Sequence, residues 1–228
     1  MNLLALDTSS KTASCAVFSD GILIAESFTN AGLTHSQTIL PMVEAMLKHA
    51  KIAINDIDAF AVSAGPGSFT GLRIGISAVK GMAMAMDKPC AGVSTLCALA
   101  AGLRAFDGYI AATLDARREQ VYAAIFHCKD GELTRVSPDE AVSIEELGQR
   151  LSELNQPIML AGDGAELCLK QLGNPNLRPS PQELRYQRAT GVAYIALRDN
   201  IFTTADKLEP IYLRIPQAER EHHDSNRQ

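Results

Sequence analysis

The sequence has 228 residues, of which 46% are apolar and 21% are charged, so it predicts one large or two small globular domains and not a disordered chain. Its net charge of −5 excludes the overall basic character that is typical of a protein that binds nucleic acid on its own. The five cysteines are scattered without a C-x-x-C pair, and no apolar stretch is long enough for a signal peptide or a transmembrane helix. We therefore expect a cytoplasmic protein with free thiols, no zinc site and no membrane association.

The first part of the sequence predicts a three-stranded meander followed by a helix. The apolar run at 2–6 ends at the turn-forming cluster Asp7-Thr8-Ser9-Ser10, and Asp20-Gly21 is a hairpin signal between the next two predicted strands, 11–18 and 22–28. Apolar residues then recur at helical spacing over 36–50. The position of Asp7 is compatible with a carboxylate that caps its own turn or with a nucleotide contact, and we favour the first interpretation.

A glycine-rich stretch at 61–75 reads AVSAGPGSFTGLRIG and contains the end of the next predicted strand, 59–64. A strand, a glycine-rich loop and a helix start together favour an anion site, because free backbone N–H groups meet the positive end of the helix dipole there. The spacing does not match a Walker loop, because Gly71 is followed by Leu72 and Arg73 and not by Lys and Ser or Thr. It does not match a dinucleotide fingerprint either, because the third glycine of the stretch lies one residue too far along the chain. Phosphate binding and a tight crossover both remain open on spacing alone.

The predicted helix at 72–86 has little polar surface, because Arg73, Ser77 and Lys80 form a narrow polar stripe. Such a helix is covered on two sides. One cover is its own sheet, and the other is either the helix at 36–50 or another protein chain. Small residues permit close approach of a second helix, and methionines suit an adaptable contact. A short strand at 91–94 and a helix at 95–104 follow.

A second unit starts near Asp107-Gly108 and repeats the first. The segment LDARREQVYAAIF at 114–126 overlays LDTSSKTASCAVF at 6–18 without a gap. A helix at 144–154, a strand at 158–164 and a helix at 165–172 follow in the order of the first unit, and a last helix at 190–202 and an extended end at 208–216 complete it. The duplication predicts tandem units at 1–106 and 107–216, followed by a polar tail at 217–228 in which His222-His223 are solvated.

A duplicated unit that opens with a hairpin and an Asp-Thr-Ser turn resembles the actin, sugar kinase and Hsp70 superfamily. That resemblance implies an α/β actin-like ATPase (ASKHA) fold of two ribonuclease-H-like units that close on ATP. More specifically, LALDTSSKTASCAVF, THSQTILPMV, AVSAGPGSFTGLRIG, GVSTL and LEPIYLRIP resemble the TsaB (YeaZ) family over residues 4–216. The family works in forming the threonylcarbamoyl modification on adenosine beside the anticodon of tRNA. Its paralogue TsaD is the catalytic subunit, and the ATPase TsaE and the threonylcarbamoyl-adenylate synthase TsaC complete the pathway.

The sequence departs from TsaD at the metal site. The resemblance implies that an H-x-x-x-H pair holds a metal in TsaD, and the matching positions here are Thr95 and Leu99, of which leucine cannot ligate. His35 has no partner one turn further along the helix, because residue 39 is Ile, so we interpret His35 as a cap or interface residue.

Nucleophile and phosphate chemistry have weak signals. Ser9, Ser68 and Cys97 are nucleophiles by residue type, but no Gly-x-Ser-x-Gly elbow accompanies them. In the second copy, Arg117 and Arg118 occupy a turn that usually approaches phosphates through small residues; solvated arginines are favoured there over phosphate contacts.

Four observations together with the resemblance predict a non-catalytic scaffold that activates TsaD by helix packing: the two-copy fold, the missing metal pair, the acidic net charge and the excess apolar or small surface of two helices. No metal ligand and no intrinsic cofactor are expected in this chain, and ATP and the metal are expected in TsaD. The predicted interface residues lie on two helices and are His35, Ile39, Leu40, Val43, Leu47, Arg73, Gly75, Val79, Met82 and Met86. An arginine at Val79 or Met82 is expected to break the assembly. The same helices would pair two copies in a homodimer when TsaD is absent. The resemblance alone implies that TsaE docks on the assembled pair, that TsaC is a pathway link and that tRNA is contacted only through the complex.

Two other functions remain open. An ATPase or small-molecule kinase of the actin-like fold would bind ATP at the first turn and the glycine loop, where a vestigial nucleotide contact is expected at Asp7, Thr8, Ser9 and Gly67. A direct tRNA-binding module would use Arg178, Arg185, Arg188 and Arg214, but the net charge of −5 argues against it.

Overall fold

The computed structural model describes residues 1–214, which form two β-sheets and six α-helices. The predicted tail at 217–228, with His222 and His223, and the end of the predicted extended segment at Pro216 lie outside these residues. The first sheet has the strand order β3-β2-β1-β4-β5. Its strands are Asn2–Asp7 (β1), Ala13–Ser19 (β2), Ile22–Thr29 (β3), Ala59–Gly65 (β4) and Cys90–Ser94 (β5). The predicted hairpin is confirmed, because Asp20 and Gly21 both have the positive φ of a tight two-residue turn.

Two helices cover the outer face of the first sheet. The first, α1, spans His35–Ala50, as predicted to within one residue, and α2 spans Phe69–Met86. Together with the sheet they enclose a mainly aliphatic core. The helix α2 begins three residues earlier than predicted, because the Ser68 hydroxyl accepts a hydrogen bond from the Gly71 amide and caps the helix.

The second sheet has the order β11-β10-β6-β7-β8, with β9 paired to β7. Its strands are Gly108–Asp115 (β6), Gln120–Lys129 (β7), Glu132–Arg135 (β8), Glu140–Ser143 (β9), Ile158–Ala161 (β10) and Leu177–Pro179 (β11). Three antiparallel strands followed by two parallel ones repeat the order of the first sheet, so the predicted duplication of two ribonuclease-H-like units is confirmed at the level of topology. The helices α4 (Ile144–Ser152) and α5 (Ala165–Gln171) cover its outer face. The strands β9 and β11, of four and three residues, are too short to give a periodic signal and were not predicted.

Two helices form a layer between the sheets. They are α3 (Thr95–Ala101) and α6 (Ala189–Asp199), and they pack on each other. The contact is close, because Gly191 lies directly against the backbone of Ala98. The central core contains residues from both sheets and both helices. The helix α6 follows the second sheet in the sequence but packs on the first sheet. The predicted boundary between the two tandem units at residues 106 and 107 therefore stays a prediction. None of the helices in residues 1–214 is long and apolar enough to cross a membrane.

The gapless overlay of the two copies is wrong by one residue at the first strand. In the first hairpin Asp7 pairs with Ser14, whereas in the second Asp115 pairs with Val121, so the second turn is one residue shorter. As a result Leu6 packs in the outer core under α1 and α2, whereas its predicted equivalent Leu114 packs in the central core. A one-residue shift moves side chains to the opposite face of a strand, so Asp115 is not the structural equivalent of Asp7.

Candidate functional site

The turn after β1 is closed by the protein's own polar groups. The Asp7 carboxylate is fully buried and accepts hydrogen bonds from the Ser9 amide at 3.0 Å, from the Ser9 hydroxyl at 2.8 Å and from the Ser63 hydroxyl. Burial raises the pKa of Asp7, and these hydrogen bonds oppose the shift. The Thr8 hydroxyl donates to the Gly71 carbonyl at 2.7 Å. Three of the four predicted nucleotide-contact residues, Asp7, Thr8 and Ser9, therefore direct their side-chain oxygens to protein partners.

The glycine motif packs directly on this turn. A Cβ atom at Gly67 would lie closer than 3.0 Å to the Ser9 carbonyl oxygen, a separation that real Cβ atoms essentially never show. A Cβ atom at Gly71 would lie as close to the Thr8 carbonyl oxygen, and one at Gly75 as close to the Thr8 hydroxyl. The open faces of the three glycines are thus covered by the chain itself, which supports the tight-crossover interpretation of the motif.

The turn between β6 and β7 is built differently. Arg117, Arg118 and Glu119 have φ angles of 65°, 54° and 57°, a left-handed conformation that costs residues other than glycine free energy. The Asp115 carboxylate accepts a hydrogen bond from the Arg117 amide at 2.7 Å and so stabilises this turn. Both arginine side chains are exposed.

A cleft of about 820 Å³ lies between the two turns. The predicted contact residues Ser9 and Gly67 border it on one side, and Asp115 and Asp163 border it on the other. Burial is the main cause that raises the pKa of Asp163, and the neighbouring Asp115 adds to it. A volume of this size admits a mononucleotide. At the first turn, however, the side chains that would meet phosphates are engaged by protein groups, so the residues there do not fit a nucleotide's phosphates.

A C-terminal segment at 211–214 closes one side of the cleft. The Ile211 amide donates to the Ala64 carbonyl at 2.7 Å, at the end of β4. The Arg214 guanidinium donates to the Ala116 carbonyl at 2.7 Å, in the second turn. The segment therefore ties the two units together across the cleft, and the guanidinium of Arg214 is engaged by the protein.

The positions that match the metal pair are part of the core. Thr95 and Leu99 lie in the central layer with 0% and 2% of their surface exposed. Within residues 1–214 no group of three His, Cys, Asp or Glu side chains lies close enough to hold a metal ion. His35, at the start of α1, contacts the first turn, where its Nε2 atom lies 2.6 Å from the Ser10 carbonyl oxygen and donates to it.

The candidate nucleophiles have structural contacts. The Ser9 hydroxyl donates to Asp7, and the Ser68 hydroxyl caps α2. Cys97 is buried, and burial raises the pKa of its thiol, which lowers the thiolate population that nucleophilic chemistry requires.

The predicted interface residues fall into two groups. Five are buried in the chain's own structure, so their side chains are not available to a partner, namely Ile39, Val43, Leu47, Gly75 and Val79. The other five reach the surface, with Leu40 and Arg73 exposed and His35, Met82 and Met86 half-buried. An arginine at Val79 would be placed inside the core, so that substitution would test folding and not assembly.

An apolar groove of about 500 Å³ lies between the N-terminal halves of α1 and α2. Leu40, which is 49% exposed, and Arg73 border it. Sequence reasoning missed two aromatic residues at this place, Phe69 and Tyr212, whose ring centres are 4.9 Å apart. Tyr212 lies 139 residues after Arg73, and its one signal in the sequence is its place in LEPIYLRIP.

Two sheets of one strand order, a shared helix layer and two turns that face one cleft define the class of this protein as the actin-like ATPase (ASKHA) fold. The TsaB protein of Bacillus subtilis, a tRNA threonylcarbamoyladenosine biosynthesis protein, is 34% identical over 230 residues that cover 96% of each chain. The chain therefore belongs to the TsaB family.

Other comparisons support the assignment to this family. The Escherichia coli TsaB protein is 36% identical over 167 residues, 72% of each chain. The family described as TsaD, tRNA N6-adenosine threonylcarbamoyltransferase, matches residues 29–172. A Pseudomonas aeruginosa structure described as similar to peptidase YeaZ superposes with a TM-score of 0.81 at 29% identity, over 93% of this chain and 99% of the other. A second Pseudomonas aeruginosa structure, YeaZ, gives a TM-score of 0.76 at 28% identity over the same shares.

Proposed function

We propose that this chain is a non-catalytic scaffold that pairs with a TsaD subunit and activates it in forming threonylcarbamoyladenosine beside the anticodon of tRNA. The coarser part, a role in tRNA threonylcarbamoyladenosine biosynthesis, follows from membership of the TsaB family. Pairing with TsaD and the lack of intrinsic catalysis are the proposal.

The closed first turn is the observation that carries the proposal. If this chain bound ATP as an enzyme of this fold, its first turn and its glycine loop would be expected to contact the nucleotide. Here the loop meets the turn itself: the Ser68 amide donates to the Ser9 carbonyl at 2.7 Å, and Gly67 and Gly71 lie against the same turn. The polar groups of the first turn and the glycine loop are thus bonded to each other, which supports a structural role for them and not the binding of a substrate.

The groove between α1 and α2 is the proposed docking face. It is apolar, it exposes Leu40, and the two helices that form it are held by the first sheet on their other side. A pair of helices from TsaD would complete a four-helix contact there, and TsaD would contribute ATP and the metal. In the absence of TsaD the same face would pair two copies about a two-fold axis. TsaE would dock on the assembled pair, TsaC would supply the activated intermediate, and tRNA would be contacted through the complex.

The first experiment is mixing this chain with TsaD, with and without ATP, and measuring mass by light scattering after size exclusion. We expect a one-to-one complex, and we expect threonylcarbamoyladenosine formation by TsaC, TsaD and TsaE to depend on this chain. The absence of any complex under all conditions, or full activity without this chain, would refute the proposal.

Two exposed aliphatic residues provide a matched pair for mapping the face. Leu40→Asp places a charge in the groove, whereas Ile22→Asp places one on the edge strand β3, where Ile22 is 67% exposed. Because both residues are exposed, we expect both variants to fold. We expect only Leu40→Asp to lose the complex, and equal behaviour of the two variants would place the interface elsewhere.

The cleft supports one alternative, an ATP-binding enzyme of the same fold. Its volume of about 820 Å³ and the cation Lys11 at its border are the observations in favour. A nucleotide that binds the folded state raises the melting temperature in proportion to the logarithm of its concentration. We expect no shift with ATP and magnesium, and a saturable shift, followed by hydrolysis of ATP by the isolated chain, would favour the enzyme.

A further inference from the structure

One charged residue borders the groove between α1 and α2. Arg73 is the single charged side chain among the nine residues that line the groove, and the others are apolar or carry a hydroxyl. The side chain of Arg73 is exposed, so a helix that covers the groove meets it.

Two aromatic rings hold this arginine in place. The guanidinium carbon of Arg73 lies 3.8 Å from the centre of the Phe69 ring, one helical turn earlier on α2. The Nε atom of Arg73 donates to the Tyr212 hydroxyl at 3.1 Å. Tyr212 follows Ile211, whose amide is bonded to the end of β4. The contacts engage Nε and one face of the guanidinium, and neither terminal nitrogen of Arg73 donates a hydrogen bond to a residue within 1–214.

Arg73 also lacks a carboxylate partner in the part of the chain that the structure describes. The seven ion pairs there do not include it. The helix α2 contains no Asp or Glu along its 18 residues, although it contains both Arg73 and Lys80. This helix is therefore cationic within a chain whose net charge is −5.

We infer that the groove binds a helix of another protein that presents an Asp or Glu carboxylate to the terminal nitrogens of Arg73. An apolar helix that covered the groove would remove the water that is hydrogen-bonded to the guanidinium, and its apolar side chains would offer no hydrogen bonds in place of that water. A carboxylate matches the planar guanidinium with two parallel hydrogen bonds. Because Phe69 and Tyr212 already hold the side chain, little conformational freedom is lost on docking.

This inference rests on the proposed pairing with TsaD and names the side-chain chemistry of that contact. It is tested by titrating purified TsaD into the wild-type chain and into Arg73→Lys and Arg73→Glu variants by calorimetry, at low and high salt. We expect Arg73→Lys to weaken binding about 10-fold, because it keeps the charge and loses the paired geometry. We expect Arg73→Glu to weaken binding about 100-fold and to reduce its salt dependence.

Lys80→Glu is the matched control, because it changes the charge of the same helix equally at a site outside the groove. We expect this variant to weaken binding about threefold at most, because Lys80 lies outside the groove and its Nζ atom donates to the Asp206 carbonyl at 3.4 Å. Tyr212→Phe removes the oxygen that holds Nε and keeps the ring, so we expect about threefold weaker binding with an unchanged salt dependence. Replacing the responsible carboxylate of TsaD by lysine is expected to restore binding to Arg73→Glu.

The outcomes separate the two proposals. If wild-type chain binds TsaD and Arg73→Glu binds equally well, the carboxylate contact is refuted and the scaffold proposal stands. If Arg73→Glu loses only the self-association of this chain, Arg73 belongs to a contact between copies and the inference is wrong. If the wild-type chain does not bind TsaD at all, both proposals fail together.

Discussion

A side chain at Gly71 should collide with the first turn, and this collision can be measured as a loss of stability. The Cβ atom of Gly71→Ala would lie closer than 3.0 Å to the Thr8 carbonyl oxygen, which is backbone and cannot swing away. Overpacking of this kind costs about 1–3 kcal/mol, and the better helix propensity of alanine returns about 1 kcal/mol at most. We therefore expect a net loss of about 1–2 kcal/mol, which lowers the melting temperature of a chain of this size by roughly 2–8 °C.

Gly81→Ala on the same helix provides the control with the opposite sign. Nothing lies within 4 Å of a Cβ atom at Gly81, so the substitution adds only helix propensity. We expect this variant to gain about 0.5–1 kcal/mol. Both free energies of unfolding are measured by urea denaturation with the wild-type chain alongside. A Gly71→Ala variant as stable as Gly81→Ala would show that the glycine loop is not pressed on the first turn, and the closed-turn argument would fail.

Three further outcomes are expected. The pKa of Asp7 is raised in the folded chain. Between the ordinary Asp pKa of about 4 and this raised pKa, the folded chain binds more protons than the unfolded chain. The free energy of unfolding therefore falls as the pH rises through that window. Asp7→Asn should remove this part of the pH dependence, up to about 1.4 kcal/mol per pH unit, and an unchanged urea-denaturation profile against pH would contradict it. Ser14→Ala should lower the free energy of unfolding by about 1–2 kcal/mol, because the Ser14 hydroxyl accepts from the Ala189 amide at 2.7 Å and caps α6 from another element; a stability equal to wild type in the same denaturation would refute this role. All five cysteines are buried, and the pKa of Cys15 is raised to about 12, so a thiol reagent should label none of them until urea unfolds the chain; fast labelling of the native protein would contradict the packing.

The sequence predicts most elements of the fold because their signals are local. The hairpin at Asp20-Gly21 and the helix of α1 depend on turn chemistry and on apolar periodicity within a short window. The order of elements recurs in the second unit, and this recurrence is what predicts the duplicated topology. The register of the repeat is not local, because it depends on a turn that is one residue shorter. The residues of both turns are mostly polar and give no pairing signal.

The residues of the proposed docking face could be predicted from the sequence only in part. Helical spacing identifies the apolar stripes of α1 and α2, but it does not tell which edge of a stripe faces the sheet and which faces outward. Val79 and Leu40 therefore looked equivalent in the sequence, although Val79 is fully buried and Leu40 is about half exposed. Tyr212 could not be found by any local pattern, since it reaches Arg73 from a distant part of the chain.

The glycine motif connects the closed turn to the proposed docking face. A strand, a glycine loop and a helix start form an anion site when a ligand covers the glycines, and a structural crossover when the chain itself does. Here Ser9 covers Gly67, and Thr8 covers Gly71 and Gly75. Thr8, which lies 63 residues before Gly71, also donates to the Gly71 carbonyl in the first turn of α2. Because this contact fixes the start of α2, it also fixes Phe69, the first residue of the helix, and through Phe69 the guanidinium of Arg73. The residues that close the first turn thus position Phe69, which holds the guanidinium of Arg73 at the groove. Loosening the turn should therefore weaken the proposed docking.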